Sequence, residues 1–191
     1  MTYTTQAIVL KKIPAGEADA VAVLYTRDFG KLRAFAQGVK KELAKLKGHI
    51  EPLSLILVQF VMGTAGERLT YAQMMQSWPA IRSDFERYGT AACVLEHIDR
   101  HCLDGEKDNG IWELLVANLA FIEQCESADV HSAVESFERD FLQALGYGEA
   151  QDMSALGAPL ARPSALVYNR PNDQLFPSRD FQISSETKKK L

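Results

Sequence analysis

The chain has 191 residues, 47% hydrophobic and 24% charged, which is ordinary for a globular chain and too apolar for disorder throughout. No apolar run approaches the roughly 18 residues of a membrane helix, and the first residues lack the basic flank and apolar core of a signal peptide. Three cysteines (Cys93, Cys102, Cys125) with no C-x-x-C pair exclude a disulfide framework and a four-cysteine zinc site, so a reducing cytoplasm is expected. The net charge of −4 is unevenly divided: residues 1–79 carry ten Lys/Arg against six Asp/Glu, and residues 80–160 carry five against sixteen. This asymmetry suggests two modules with different partners, the basic one facing a polyanion.

The first 79 residues read as β. A short apolar run at Ala7–Leu10 comes first. Ala20–Thr26 follows, with Val21, Val23 and Tyr25 on one side by period-2 spacing. Arg33–Gln37, Leu53–Met62 and Leu69–Met74 complete five predicted strands. Pro14-Ala-Gly16, Asp28-Phe-Gly30 and Gly63-Thr-Ala-Gly66 are turn signals, and the second predicts a hairpin between strands two and three. A long basic connection, Gly38–Pro52, separates strands three and four. Five short strands with that one excursion fit a Greek-key barrel such as an OB-fold; periodicity alone also allows an SH3-like barrel.

From Pro79 the period changes to that of helices. Ile81, Phe85, Tyr88, Ala92, Leu95, Ile98 and Cys102 define one face of a helix of about six turns. A second helix is expected from about Ile111 to Gln124, with Asn109 as its cap. A third should follow Asp129, carrying Val130, Val134, Phe137, Phe141 and Leu145, with Gly146 placed to end it. Short connections predict an antiparallel bundle. Four of the seven prolines fall in the last forty residues, which read as an irregular tail with a weak extended patch at Leu166–Tyr168. The expected organisation is thus α+β: an OB-type barrel over residues 1–79, a helical domain over 80–148 and a tail over 149–191.

Among residues with chemical potential, the basic connection stands out. Lys31, Arg33, Lys40, Lys41, Lys45 and Lys47 face a single Glu42 in seventeen residues and concentrate positive potential where a phosphate backbone could lie. A solvated lysine-rich loop without a ligand is the plainer alternative. Tyr25, Phe29 and Phe35 could stack on bases, although core packing suits them as well. His97 and His101 share a helix face at i and i+4. Lacking a third ligand and the glutamate of H-E-x-x-H, they are expected to be surface histidines rather than a metal site. No P-loop, G-x-S-x-G or G-x-G-x-x-G occurs, so no enzyme activity and no cofactor are expected.

Several segments, taken in order and spacing, resemble one family. They are Ala7-Ile-Val-Leu-Lys-Lys, Gly16-Glu-Ala-Asp19, Leu24-Tyr-Thr-Arg-Asp-Phe-Gly-Lys-Leu-Arg33, Ala36-Gln-Gly38 and Leu46-x-Gly48-x-Ile-Glu-Pro-Leu53. Together they are similar to the N-terminal domain of RecO, the bacterial recombination mediator of the RecF pathway. Phe137-x-x-x-Phe141-Leu-x-x-Leu-Gly146 is similar to that family's helix before its C-terminal segment. The resemblance implies an N-terminal OB-fold and a non-enzymatic role in the cytoplasm, at the nucleoid. That role is binding single- and double-stranded DNA, annealing complementary strands, and loading RecA with RecR and single-strand-binding protein. Many members carry a four-cysteine zinc site after the last helix; residues 149–191 contain no cysteine, so zinc is not carried over. The acidic C-terminal tail of single-strand-binding protein would need a local basic and apolar pocket on the acidic helical region. Arg82, Arg87, Arg100 and Arg139 are the candidates, with Phe85 or Phe137 as an apolar floor. Pairing with neighbouring Asp84, Glu86, Asp99 and Glu138 is the alternative fate of these arginines.

Overall fold

The computed structural model describes residues 1–39, 46, 48–64 and 66–147. Within them five strands are followed by helices. The strands are β1 (Thr2–Ala15), β2 (Asp19–Thr26), β3 (Gly30–Ala36), β4 (Ser54–Gly63) and β5 (Gly66–Ser77). β1 pairs antiparallel with β4 along its first half and with β2 along its second, passing through a bulge between Val9 and Lys11. β5 returns beside β4 and touches β3 in a short parallel pairing, Ala34 to Glu67 and Phe35 to Arg68. The pairing order β1-β2-β3-β5-β4 therefore closes on itself.

The apolar run at Ala7–Leu10 is continuous because both faces of β1 are buried. Ala7 and Val9 point into the closed sheet with Leu24, Ala34, Ile56, Val58 and Phe60. Ile8 and Leu10 point outward and join Val23, Tyr25, Leu53 and Trp78 in a second cluster shared with the helices. Small alanines on β2 and β3 (Ala20, Ala22, Ala34, Ala36) leave room inside for Phe60, around which Tyr3 and Phe29 gather with ring centroids 5.3 to 5.5 Å apart.

The helices are α1 (Pro79–Ser83), α2 (Phe85–His101), α3 (Asn109–Gln124) and α4 (Val130–Ala144). The single long helix expected after Pro79 is broken at Asp84. Its backbone is extended (φ −115°, ψ 126°), and its Oδ1 accepts the Arg87 N–H at 2.9 Å. A short carboxylate competes well as an N-cap, and here that outweighs the unbroken apolar spacing. α1 has no cap from Trp78; instead both carboxylate oxygens of Glu123 on α3 accept its Ala80 and Ile81 N–H groups at 3.0 Å. α3 is capped by Asp108, one residue before the expected Asn109. α4 begins after Asp129 as expected and ends before Gly146, whose φ is +85°. The expected tail and its Leu166–Tyr168 patch lie outside the described residues.

His97 and His101 are not a pair of surface histidines. His97 is 9% exposed, with Nε2 2.9 Å from Glu138 Oε1 on α4, and its ring lies 6.0 Å from that of His101. The cause is the face they share with Phe137 and Phe141, which stack 5.5 Å apart on the opposing helix. Burial first, then His97 and Arg100, hold the His101 pKa below its ordinary value. A depressed folded-state value means that the unfolded chain binds the proton first as pH falls. This contribution to stability is thus complete above the unfolded value of about 6.5 and declines as pH drops through it. The urea midpoint should fall between pH 7 and pH 5 more steeply in the native protein than in His101→Gln; equal slopes would contradict the assignment.

Candidate functional site

The Asp28-Phe-Gly-Lys-Leu-Arg33 segment occupies the β2–β3 turn and the start of β3. Thr26 Oγ1 accepts the Phe29 N–H at 3.0 Å and donates to the Gly30 carbonyl at 2.8 Å, closing the hairpin. Gly30 has φ +65°, and a Cβ there would stand 1.8 Å from the Glu106 carbonyl oxygen in the α2–α3 connection. Only glycine permits that approach. Immediately beyond it, Gly105 N–H donates to the Lys31 carbonyl at 2.8 Å, and Lys31 forms an isolated parallel bridge with Asp104. The connection between α2 and α3 is therefore docked on β3 by backbone contacts.

Charges reinforce this docking. Lys31 is 5% exposed; its Nζ donates to the Asp99 carbonyl at 2.6 Å and lies 3.5 Å from Asp104 Oδ1 and 3.8 Å from Asp99 Oδ1. Arg33 Nε is 3.2 Å from Asp104 Oδ2, and Lys11 Nζ is 3.8 Å from Asp99 Oδ2. Strand register explains the grouping: Lys11 is opposite Val23 and Val23 opposite Arg33, so the two cations share a row across β1, β2 and β3. Underneath, Tyr25 and Cys102 lie in the seam. Burial pushes the Cys102 thiol up to about 11, Lys31 pulling the other way, and burial together with Cys102 and Asp108 raises the Tyr25 phenol further. Neither group is ionised near neutrality, which leaves the seam's cations to the two aspartates.

Of the six basic residues singled out in the sequence, Lys31 is buried in this seam and Arg33 sits at its exposed rim. Lys40, Lys41, Lys45 and Lys47 lie outside the described residues. Tyr25 and Phe29 are packing residues. Among the described residues Arg82, Arg87 and Arg100, of the four candidate arginines of the helices, have separate partners. Arg82 Nη2 donates to the Pro52 and Leu53 carbonyls at 2.7 and 3.0 Å and to Ser54 Oγ at 2.9 Å, holding Leu53 in its left-handed conformation (φ +58°). Arg87 closes the end of α3 by donating to the Ile122 and Cys125 carbonyls. Arg100 pairs with Glu96 at 2.5 Å rather than with Asp99, and Arg139 is exposed on α4. Phe85 is 88% exposed, whereas Phe137 is wholly buried.

Sequence reasoning missed Lys11, Asp99 and Asp104 as partners. The available signal was the charge asymmetry itself, whose two halves meet here. A cleft of about 480 Å³ opens where the outer faces of β1 and β4 meet the start of α3; Thr4, Gln6, Arg27, Leu57, Lys107 and Glu113 help to line it. Its mixed charge gives it no preference for a polyanion. Among the described residues no three metal-ligating side chains converge, and no helix is long and apolar enough to cross a membrane.

Comparison with known proteins places this geometry in context. Residues 1–78 match the family model described as "Recombination protein O N terminal". The chain is 32% identical over 151 residues to the DNA repair protein RecO of Geobacter metallireducens, covering 79% of this chain and 61% of that protein. It is 30% identical over 146 residues to the DNA repair protein RecO of Desulforudis audaxviator, covering 76% and 57%. The DNA repair protein RecO of Pelotomaculum thermopropionicum is 27% identical over 169 residues, covering 86% and 65%. The chain thus spans less than two thirds of the length of these relatives. The matched stretches are longer than residues 1–78, so the likeness extends beyond the five strands. On these matches residues 1–78 are similar to the N-terminal domain of RecO, and the likeness to RecO proteins covers most of this chain.

Proposed function

We propose that this protein serves DNA repair and recombination as a non-catalytic DNA-binding factor whose five-stranded closed sheet is an OB-fold. The closed order β1-β2-β3-β5-β4, with β1 shared between β2 and β4, is the observation that carries the reading. OB-type barrels bind single strands through a basic groove. Residues 1–79 are the binding module in this reading, and residues 80–148 the helical support. Annealing of complementary strands, and loading of RecA with RecR and the tail of single-strand-binding protein, are the activities the family relationship suggests. The site of action is then the cytoplasmic nucleoid.

Lys40, Lys41, Lys45 and Lys47 are the principal phosphate contacts in this reading, because Lys31 is enclosed and Arg33 is paired. Titration of labelled single-stranded DNA at several salt concentrations tests it. Four contacts correspond to a slope of log K against log salt near −3, from about −0.7 per phosphate. Changing all four lysines to glutamate should abolish saturable binding at low salt. Native-like affinity in that variant would remove the lysine connection from the interface. Absence of DNA binding by the native chain would favour a protein-only adaptor, and a strong preference for ribose an RNA-binding module.

A further inference from the structure

We propose that Asp99 and Asp104 form an intramolecular phosphate mimic, a guard that occupies Lys11 and Arg33 and makes polyanion binding at this edge of the sheet compete with the helices. The inference rests on the DNA-binding reading above. Its basis is the exposure of the partners. Lys31 is enclosed and has a backbone carbonyl as well as two carboxylates, so it anchors the connection permanently. Lys11 and Arg33 differ. Their side chains are 53% and 40% exposed, and among the described residues each faces a single carboxylate, Asp99 Oδ2 and Asp104 Oδ2 respectively.

Exposed ion pairs of this kind are worth roughly 0.2–1 kcal/mol and weaken as salt screens them. A DNA phosphate can therefore displace either carboxylate without opening the seam beneath. The two cations share one cross-strand row, so both can follow one backbone. The cost is that each phosphate must first remove an aspartate. The guard also leaves a signature in the salt dependence. The condensed counterions sit on the DNA phosphates; a cation held by an aspartate neutralises no phosphate and so releases none, whereas a cation freed of it does, at about 0.7 in slope per phosphate contact.

The test compares a labelled oligothymidylate on the native chain, Asp104→Asn, and Asp99→Asn/Asp104→Asn. The single variant should bind about threefold more tightly at low salt and the double variant about tenfold. The double variant's slope should steepen by up to about 1.4, two contacts at 0.7 each. Adding Arg33→Ala to Asp104→Asn should return affinity to the native value. A charge-matched control, Glu126→Gln/Glu135→Gln, removes two exposed acids away from the seam and should gain less than the guard variant. An equal gain in that control, or an unchanged slope in the double variant, would overturn the guard. Failure of the native chain to bind DNA would instead overturn the DNA-binding reading. Asp104 is half-exposed, so its asparagine variant keeps the test valid should Asp99→Asn perturb folding.

Discussion

Replacing Gly30 by alanine is expected to destabilise the protein by about 3 kcal/mol, the sum of two effects. The left-handed φ of +65° costs an L-residue about 1 kcal/mol. The larger effect is steric. The new Cβ would lie 1.8 Å from the Glu106 carbonyl oxygen, 2.3 Å from its carbonyl carbon and 2.9 Å from the Lys107 nitrogen. All three are backbone atoms and cannot rotate aside. The α2–α3 connection must retreat, taking with it the Gly105 to Lys31 hydrogen bond and the approach of Asp104 to Arg33. Overpacking of this kind typically costs about 1–3 kcal/mol. Gly16 is the internal control. Its φ is +72°, yet nothing lies within 4 Å of where a Cβ would stand, so Gly16→Ala should cost only the backbone share, about 1 kcal/mol. Urea denaturation of both variants decides the matter. Equal losses would show that the close approach to Glu106 carries no energetic weight.

That glycine illustrates what could be read before the structure. The hairpin around Asp28-Phe-Gly30 was legible, because a turn glycine between two apolar runs is a local signal. What Gly30 touches was not, since Glu106 is remote in sequence and its carbonyl has no side-chain signature. The five strands were legible for the same local reason, but their extents were not. β1 was underestimated because Thr2–Gln6 is mostly polar and Lys11–Ala15 breaks the strand pattern with two lysines and a proline, while only Ala7–Leu10 is an unbroken buried run. The break at Asp84 was hidden by apolar residues that keep helical spacing across it. The charge asymmetry was plainly visible, but its meaning was incomplete. A basic segment beside an acidic one is equally compatible with two outside partners and with mutual pairing. Lys11, Lys31, Arg33, Asp99 and Asp104 show that part of it is mutual. The histidine pair was legible as one helix face, yet its burial depended on Phe137 and Phe141 arriving from α4.

Lys31 is where the sequence and the structure ask most different things of one side chain, and Lys31→Met separates them. As a phosphate ligand, its loss would lower the salt slope by about 0.7 and leave stability unchanged. As the anchor of the seam, its loss strands the Asp99 carbonyl, accepting at 2.6 Å, and leaves two carboxylates facing each other without their shared cation. Removing one member of a buried ion pair costs about 3–5 kcal/mol when the other stays enclosed. Here the carboxylates can partly rehydrate, since Asp99 and Asp104 side chains are 22% and 52% exposed. Methionine also keeps the aliphatic bulk of the lysine stem. The expected loss is therefore smaller, about 2 kcal/mol in urea denaturation. Amide exchange at Gly105, whose N–H donates to the Lys31 carbonyl, should accelerate in step, because the connection no longer has its central charge. DNA affinity in Lys31→Met should stay within about twofold of native, since the side chain is enclosed and offers no open face to a phosphate. A variant with native stability and a flattened salt slope would return Lys31 to the DNA interface and require the seam to open on binding.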